Sequence, residues 1–221
     1  MSAWLQTITG RAFVFAEPVV TTEHLKTEVA PILASLPRFG GHTYARYSVA
    51  QHSALCATAA LDLYDDMELA AFCLLHDAHE TWTGDIVSPM QAALVEELAL
   101  GTQVDPTAVQ MVAQARAAHL KLCFKSIQKR IDAAVFAAAG LDPSRYGAHA
   151  ERIKDIDVRA LRTERDELKA RPPQPWDAPI ETVLPLPLPG GTLRQMSEAD
   201  ARRLFLDLLH ALCPALQLEA A

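Results

Sequence analysis

The sequence predicts an all-α fold, and three observations predict it. Apolar residues recur at helical spacing along most of the chain. Glycine and proline fall at the joints between those stretches. Strand-like alternation is confined to residues 1–20, around Ala12-Phe13-Val14-Phe15, where a short extended segment is expected. The chain has 221 residues, half of them hydrophobic, enough for one closed core with or without an appended tail.

Taken in order, Thr22 is placed to cap a helix carrying Leu25, Val29, Ile32 and Leu33; Pro31 kinks or splits it, and Pro37 ends it. Arg38-Phe39-Gly40-Gly41-His42-Thr43 reads as a loop because paired glycines break helix and strand alike. Ser48 caps a helix to about Leu63, with Val49, His52, Leu55, Cys56, Ala59 and Ala60 on one face. Another helix is expected from about Met67 to Trp82, with Gly84 as its terminator and Trp82 packed against the bundle. A further helix starts at Ser88-Pro89. The alanine-rich stretch from Thr107 to Ala139 is one long helix or two, closed by Gly140 and Pro143. A charged helix from about Ser144 to Lys169 follows.

Residues 171–191 hold seven prolines and separate the body from a last helix. That helix opens on Ser197-Glu198-Ala199-Asp200, which resembles a capping box, and carries Leu204, Phe205, Leu208, Leu209 and Leu212 as an apolar stripe. The division is therefore a body over 1–170 and a Pro-rich extension with C-terminal helix over 171–221, packing on the same domain.

The formal net charge of −7 argues against duplex nucleic acid as a partner, since sequence-independent binding needs a basic face. Cys56, Cys73, Cys123 and Cys213 are far apart in sequence and three lie in apolar helical patterns, so buried free thiols in a reducing compartment are expected. The N-terminus lacks the pattern of a signal peptide, and Leu69 to Leu75 and Ala133 to Leu141 are too short to span a bilayer. The expectation is a cytoplasmic protein with no membrane partner. Alanine- and leucine-rich helix faces would allow a homo-oligomer but serve an internal core equally well.

Three helices each carry a metal-type ligand on an inward face. Leu74-Leu75-His76-Asp77-Ala78-His79-Glu80 brings His76, Asp77 and Glu80 to one helix edge. There an imidazole and a carboxylate can hold a divalent ion and leave the second carboxylate to handle a proton. His52 points with the apolar stripe of its helix; taken alone, a core histidine bonded to a backbone carbonyl explains it better. Asp157 shares a face with Ile153, Ala160 and Leu161, whereas Asp155 shares one with Arg159, Arg162 and Asp166, a solvated, ion-paired face. Periodicity selects Asp157. His79 is turned away from Asp77 and lines the rim. His24, His119, His149 and His210 are assigned to ordinary surfaces, and Arg46 and Lys125 to surface charge.

Tyr47-Ser48-Val49-Ala50-Gln51-His52-Ser53, then Leu74 to Glu80, then Gly84-Asp85-Ile86 resemble the HD-domain metal-dependent phosphohydrolase superfamily, in the branch of bacterial 5′-deoxynucleotidases and phage dATP triphosphohydrolases. The resemblance covers about Thr9 to Leu168 and is most specific over 38–90. It implies an HD-type helical bundle over 1–170 and one divalent transition metal, Mn²⁺, Co²⁺, Fe²⁺ or Zn²⁺, held by His52, His76, Asp77 and Asp157; Mg²⁺ near the substrate phosphates is compatible with it. It also implies catalytic carboxylates at Glu80 and Asp85 and a phosphate contact from Arg38, with Phe39 next to it as a further substrate contact; His42, after two glycines in the same loop, either touches substrate or sits in solvent. Phe39 stands where deoxynucleotidase relatives carry a tryptophan, which leaves base and sugar contacts open. The activity expected is hydrolysis of small (deoxy)nucleotides, as a dNTP triphosphohydrolase or a 5′-deoxynucleotidase. The alternative is a non-catalytic nucleotide-binding or scaffold protein on the same fold.

Overall fold

Alternation near the N-terminus produces a β-hairpin, and helical periodicity produces nearly everything after it. The structure is a computed structural model that describes residues 2–100, 106–188 and 190–219; the outer limits of the 1–170 and 171–221 division fall outside them. Strand β1 (Trp4–Gln6) pairs antiparallel with β2 (Ala12–Val14), placing Leu5 opposite Phe13. Phe13 turns inward and stacks on Trp82 with ring centroids 4.4 Å apart and planes 3° from parallel.

Helix α1 (Thr22–His24) is capped by Thr21, one residue before the position expected: the Thr21 hydroxyl accepts the His24 backbone N–H, and the His24 ring accepts that of Thr21. Thr22 instead donates to the Ala138 carbonyl. The chain then widens into a π-helical turn, Leu25–Val29, before α2 (Ala30–Ser35). This turn is how the helix accommodates Pro31, whose missing N–H falls in the first turn of the regular segment that follows.

Helix α3 (Val49–Tyr64) starts at Ser48 as expected, with Gln51 completing a capping box. Such a cap contributes about 1 kcal/mol and here fixes the turn that carries His52. Asp65 closes α3 in the left-handed conformation, and Asp66 caps α4 (Met67–Leu75). The single helix expected from Met67 to Trp82 is instead two. After Leu75 the hydrogen bonds step back three residues (Ala78 to Leu75, Glu80 to Asp77, Thr81 to Ala78), and regular helix resumes only as α5 (Glu80–Thr83). The tightened turns His76–His79 re-aim consecutive side chains, because three residues per turn replace 3.6. Gly84 ends α5 at φ 75°, the termination read from the sequence.

Helix α6 (Ser88–Leu100) packs on α7 (Pro106–Ala138), which is one continuous helix. A short 3₁₀ turn, Pro143–Arg145, leads into α8 (Tyr146–Leu168). The Pro-rich stretch contains a single turn, α9 (Ala178–Thr182), and lies along α8: Arg162 donates to the Ile180 carbonyl (3.1 Å), and the Leu186 N–H donates to Thr163 Oγ1 (2.8 Å). Helix α10 (Glu198–Leu212) buries Ala201, Phe205, Leu209 and Leu212 against α2, α3 and α4, and α11 (Pro214–Glu219) closes the described chain. The centre is α4, whose residues Leu69–Leu75 are all buried between α3, α8 and α10.

His149 is not on the surface. It lies one turn before Ile153 on the inward face of α8, bonded to Glu68 (2.9 Å) and Arg152 and packed on Phe72. Cys56, Cys73 and Cys213 are buried, and Cys123 is exposed. No described helix is long and apolar enough to cross a membrane.

Gly140 links α7 to the last helix. Its φ is +80°, and a Cβ there would stand 2.8 Å from the backbone nitrogen of Ala215. Gly140→Ala is expected to combine a left-handed backbone penalty of about 1–2 kcal/mol with a clash against main chain that has no flexible end to yield. Urea unfolding checks this, and a loss below that range would show that α11 moves aside.

Candidate metal centre

Of the four side chains expected to bind metal, His52, His76 and Asp157 gather in one group, and Asp77 stands beside its two imidazoles. His52 comes from the first turn of α3, His76 and Asp77 from the tightened turns after α4, and Asp157 from the middle of α8. His52 Nε2 lies 3.3 Å from His76 Nε2, 3.5 Å from Asp77 Oδ2 and 3.2 Å from Asp157 Oδ1. His76 Nε2 lies 3.3 Å from Asp77 Oδ2 and 3.8 Å from Asp157 Oδ1. Donors about 2.0–2.2 Å from one ion stand roughly 3.0–3.5 Å apart, so these separations are close to those of a common coordination sphere.

Each imidazole is held by its other nitrogen. His52 Nδ1 is 2.6 Å from Glu164 Oε1, and His76 Nδ1 is 2.7 Å from the Cys73 carbonyl. A carbonyl and a carboxylate only accept, so both Nδ1 atoms donate and both Nε2 atoms turn toward the cluster, where they donate to Asp157 when protonated and would offer lone pairs to a cation when neutral. That donor set, two neutral imidazoles with two hard carboxylates, fits a divalent transition ion.

Cys56 belongs to the same cluster, although sequence reading places it only on the apolar stripe. Its Sγ, with atoms of His52, His76 and Asp157, forms a group whose members all lie within 4.8 Å of one another, able to hold a metal. The sulfur is nearly equidistant from His52 Nε2 (3.7 Å) and Nδ1 (4.0 Å). It therefore stands beside the ring rather than along the Nε2 lone pair. Asp77 Oδ2 is the better fourth donor in this conformation.

The cluster is strongly acidic. Burial and Arg38 disfavour imidazolium at His52, yet the neighbouring Cys56, Glu164 and Asp157 outweigh them and raise its pKa. At His76 burial again opposes, and Asp77 and Asp157 prevail. Burial would raise Asp157, but hydrogen bonds from His52 and His76 hold it well below the usual range. The shifts at the histidines and at Asp157 are reciprocal, since the acidic neighbours favour positive charge on the imidazoles and the imidazoles favour negative charge on Asp157.

Glu80 is not in the group of His52, Cys56, His76 and Asp157, but with Asp77 and His79 it forms a second, adjoining group whose ligand atoms also lie within 4.8 Å of one another. Its Oε2 is buried without a hydrogen-bond partner, and burial, with the charges of Asp77 and Asp85, pushes its carboxyl up to about 10. Asp85, also raised by burial and by Asp77, accepts a hydrogen bond from the Phe39 backbone and so ties the loop to α5.

That loop is closed at its neck by the Pro37–Ser48 bridge and the Arg38 N–H to Tyr47 carbonyl bond (2.9 Å). Arg38 points inward, 3.5 Å from Asp77 Oδ2 and 3.2 Å from Glu164 Oε2, with its Nε buried and unpartnered. Phe39 adopts φ 57°, a left-handed conformation that costs about 1–2 kcal/mol outside glycine. Its ring faces Lys169 Nζ (4.9 Å) and lies 6.3 Å from Trp176 of the Pro-rich segment. The His42 side chain is exposed, and its carbonyl accepts from Lys169 (2.6 Å).

His79 does not line a rim. It is buried, with Nδ1 2.9 Å from Asp132 and Nε2 3.1 Å from the Gln128 amide of α7. Nor is it turned away from Asp77: a ring nitrogen of His79 and carboxylate oxygens of Asp77 and Glu80 lie within 4.8 Å of one another, because the turns His76–His79 are tighter than a regular helix. Glu164, Asp132 and Gln128 are site neighbours that sequence reading missed. Glu164 left one signal, a spacing of two turns from Asp157 on the same face.

Fold and site together define an all-α protein whose central helices converge a His/Asp/Cys cluster able to hold a metal ion. No family model matches the chain. It is 25% identical over 166 residues to "Uncharacterized protein YfdR" of Escherichia coli (strain K12), covering 75% of this chain and 72% of that one. It is 36% identical over 99 residues to "Uncharacterized protein RCAP_rcc00048" of Rhodobacter capsulatus, covering 42% of this chain and 48% of that one. Neither name states an activity.

Proposed function

We propose that the protein is a metal-dependent phosphohydrolase of the HD type acting on small (deoxy)nucleotides. The observation that carries this reading is the convergence of His52, His76, Asp77 and Asp157, with the unpartnered Glu80 Oε2 and Arg38 Nε beside it. Buried polar atoms without partners are rare, and two of opposite character next to one donor cluster suit a ligand that both accepts and donates hydrogen bonds. A phosphate ester with an attacking water is such a ligand.

A divalent ion in this donor set supplies Lewis acidity toward phosphoryl oxygen and lowers the pKa of water. The chain's own residues do the rest. Arg38 offers its guanidinium to the phosphate, where fixed fork geometry favours two parallel hydrogen bonds. Glu80 orients the water and handles its proton at Oε2, and Asp85 is a second acid on the same side. Phe39, beside Arg38, and Trp176, 6.3 Å from it, would offer flat apolar surfaces to the remainder of the substrate.

A panel of dNMPs, dNTPs and ribonucleotides incubated with Mn²⁺ or Co²⁺ tests the reading, with products resolved by chromatography and Asp77→Ala as the control. Hydrolysis that disappears in the variant is the expected result. Tripolyphosphate would identify a triphosphohydrolase and orthophosphate a nucleotidase. Silence across the panel with metal bound would overturn the nucleotide assignment.

A further inference from the structure

We propose that Glu164 couples metal binding to phosphate binding, one buried carboxylate positioning the ligand His52 with one oxygen and Arg38 with the other. The inference rests on the metal-dependent reading above.

The Glu164 side chain is completely buried, as is that of His52. Oε1 takes the His52 Nδ1–H at 2.6 Å and Oε2 takes an Arg38 N–H at 3.2 Å. An arginine can satisfy both oxygens of a carboxylate through its fork. Here the oxygens are divided between two partners instead, which is the geometry of a link. Helix α8 grips a single imidazole from both sides: Asp157 meets Nε2, and Glu164, two turns later, meets Nδ1. The backing carboxylate thereby fixes which His52 nitrogen carries the proton, and it raises the basicity of the other.

Arg38 has a second anchor in Asp77 Oδ2 at 3.5 Å, but that oxygen also lies within 3.5 Å of His52 Nε2 and 3.3 Å of His76 Nε2. A cation bound among these donors competes with Arg38 for Asp77. Glu164 then remains as the anchor that keeps the guanidinium, with its unpartnered Nε, beside the cluster. His76 has no comparable link, because its Nδ1 donates to the Cys73 main-chain carbonyl. Glu164 is thus a positioning residue for two functions, and by linkage the effect of metal on phosphate equals that of phosphate on metal.

The test is calorimetric titration of the full chain with Mn²⁺, with and without inorganic phosphate, for wild type, Glu164→Gln and Glu164→Asp. Wild type is expected to bind Mn²⁺ more tightly when phosphate is present. Glu164→Gln is expected to weaken Mn²⁺ binding about 10- to 100-fold and to lose most of the phosphate enhancement. Glu164→Asp keeps the charge and recovers part of both; it also carries the comparison if Glu164→Gln does not fold. A purely structural role would lower the melting temperature of the metal-free variants and leave Mn²⁺ affinity and its enhancement unchanged, which overturns the proposal. Weakened metal binding with a wild-type phosphate enhancement overturns the coupling. No Mn²⁺ binding by wild type would instead remove the metal-dependent reading itself.

Discussion

Glu80→Gln is expected to lower turnover by about 10²–10⁴-fold while bound metal stays at the wild-type level. The substitution preserves volume and removes only the ability to exchange a proton. Glu80 stands outside the group of His52, Cys56, His76 and Asp157, so metal held there should survive. Elemental analysis of the purified variant beside a turnover assay checks both halves; metal lost with activity would make Glu80 a ligand instead. A second signature follows from its carboxyl, pushed up to about 10 by burial, Asp77 and Asp85. A carboxyl raised on folding binds more protons in the folded state. Its contribution therefore favours folding at low pH and diminishes as pH rises above the ordinary value near 4.5. The metal-free Glu80→Gln protein should accordingly melt higher than metal-free wild type at pH 7, with the difference shrinking in acid. Lower turnover with greater metal-free stability is the pattern of a group held for chemistry at the expense of the fold.

The same physics explains which features are legible in the sequence. Helices α3 and α10 can be placed closely because both have capping residues and a one-sided stripe, so start and phase are written locally. Asp157 is separable from Asp155 for the same reason, since α8 has a strongly polar outer face and the two acids point different ways; Asp155 does pair with Arg159, as its spacing implies. Helix α4 is apolar all round, so its pattern has no phase and gives no sign of ending at Leu75. The helix ends where His76 and Asp77 turn toward the cluster, an effect of contacts distant in sequence. Glu164 is hidden in Thr-Glu-Arg-Asp-Glu, a run that reads as a solvated face, although it is among the most buried charges in the chain. Charged residues announce burial only through partners, and Arg38 lies too far upstream for spacing to reveal the pair. Asp132, the partner of His79, escapes notice for the same reason.

Arg11→Met is expected to destabilise the protein by about 3–5 kcal/mol, the usual consequence of leaving a buried charge without its partner. Glu28 is 1% exposed and receives Arg11 at 2.8 Å and 2.7 Å on its two oxygens, with further bonds from Thr9 and the Trp82 indole. Burial alone would push its carboxyl up, but the bonds from Arg11, Thr9 and Thr7 prevail and hold it at about 2. A carboxyl depressed from 4.5 to about 2 contributes stability on the order of 3 kcal/mol. That contribution is fully present above pH 4.5 and lost as pH falls toward 2. In Arg11→Met the sign reverses, because an unpaired Glu28 prefers to be neutral, so the deficit should be largest near pH 7 and shrink on acidification. Arg11→Met combined with Glu28→Gln should recover much of the loss, since the uncompensated charge is then gone. Urea unfolding at pH 7 and pH 4 for the three variants separates these cases, and a single-variant loss under 1 kcal/mol would mean that water reaches Glu28. The consequence extends to the site: Glu28 bonds to Trp82, and Trp82 sits two residues after Glu80 on α5 and stacks on Phe13 of the hairpin. On the proposed function, loosening the Arg11–Glu28 pair should also lower turnover, through the helix that carries Glu80 and without any change at His52, His76, Asp77 and Asp157.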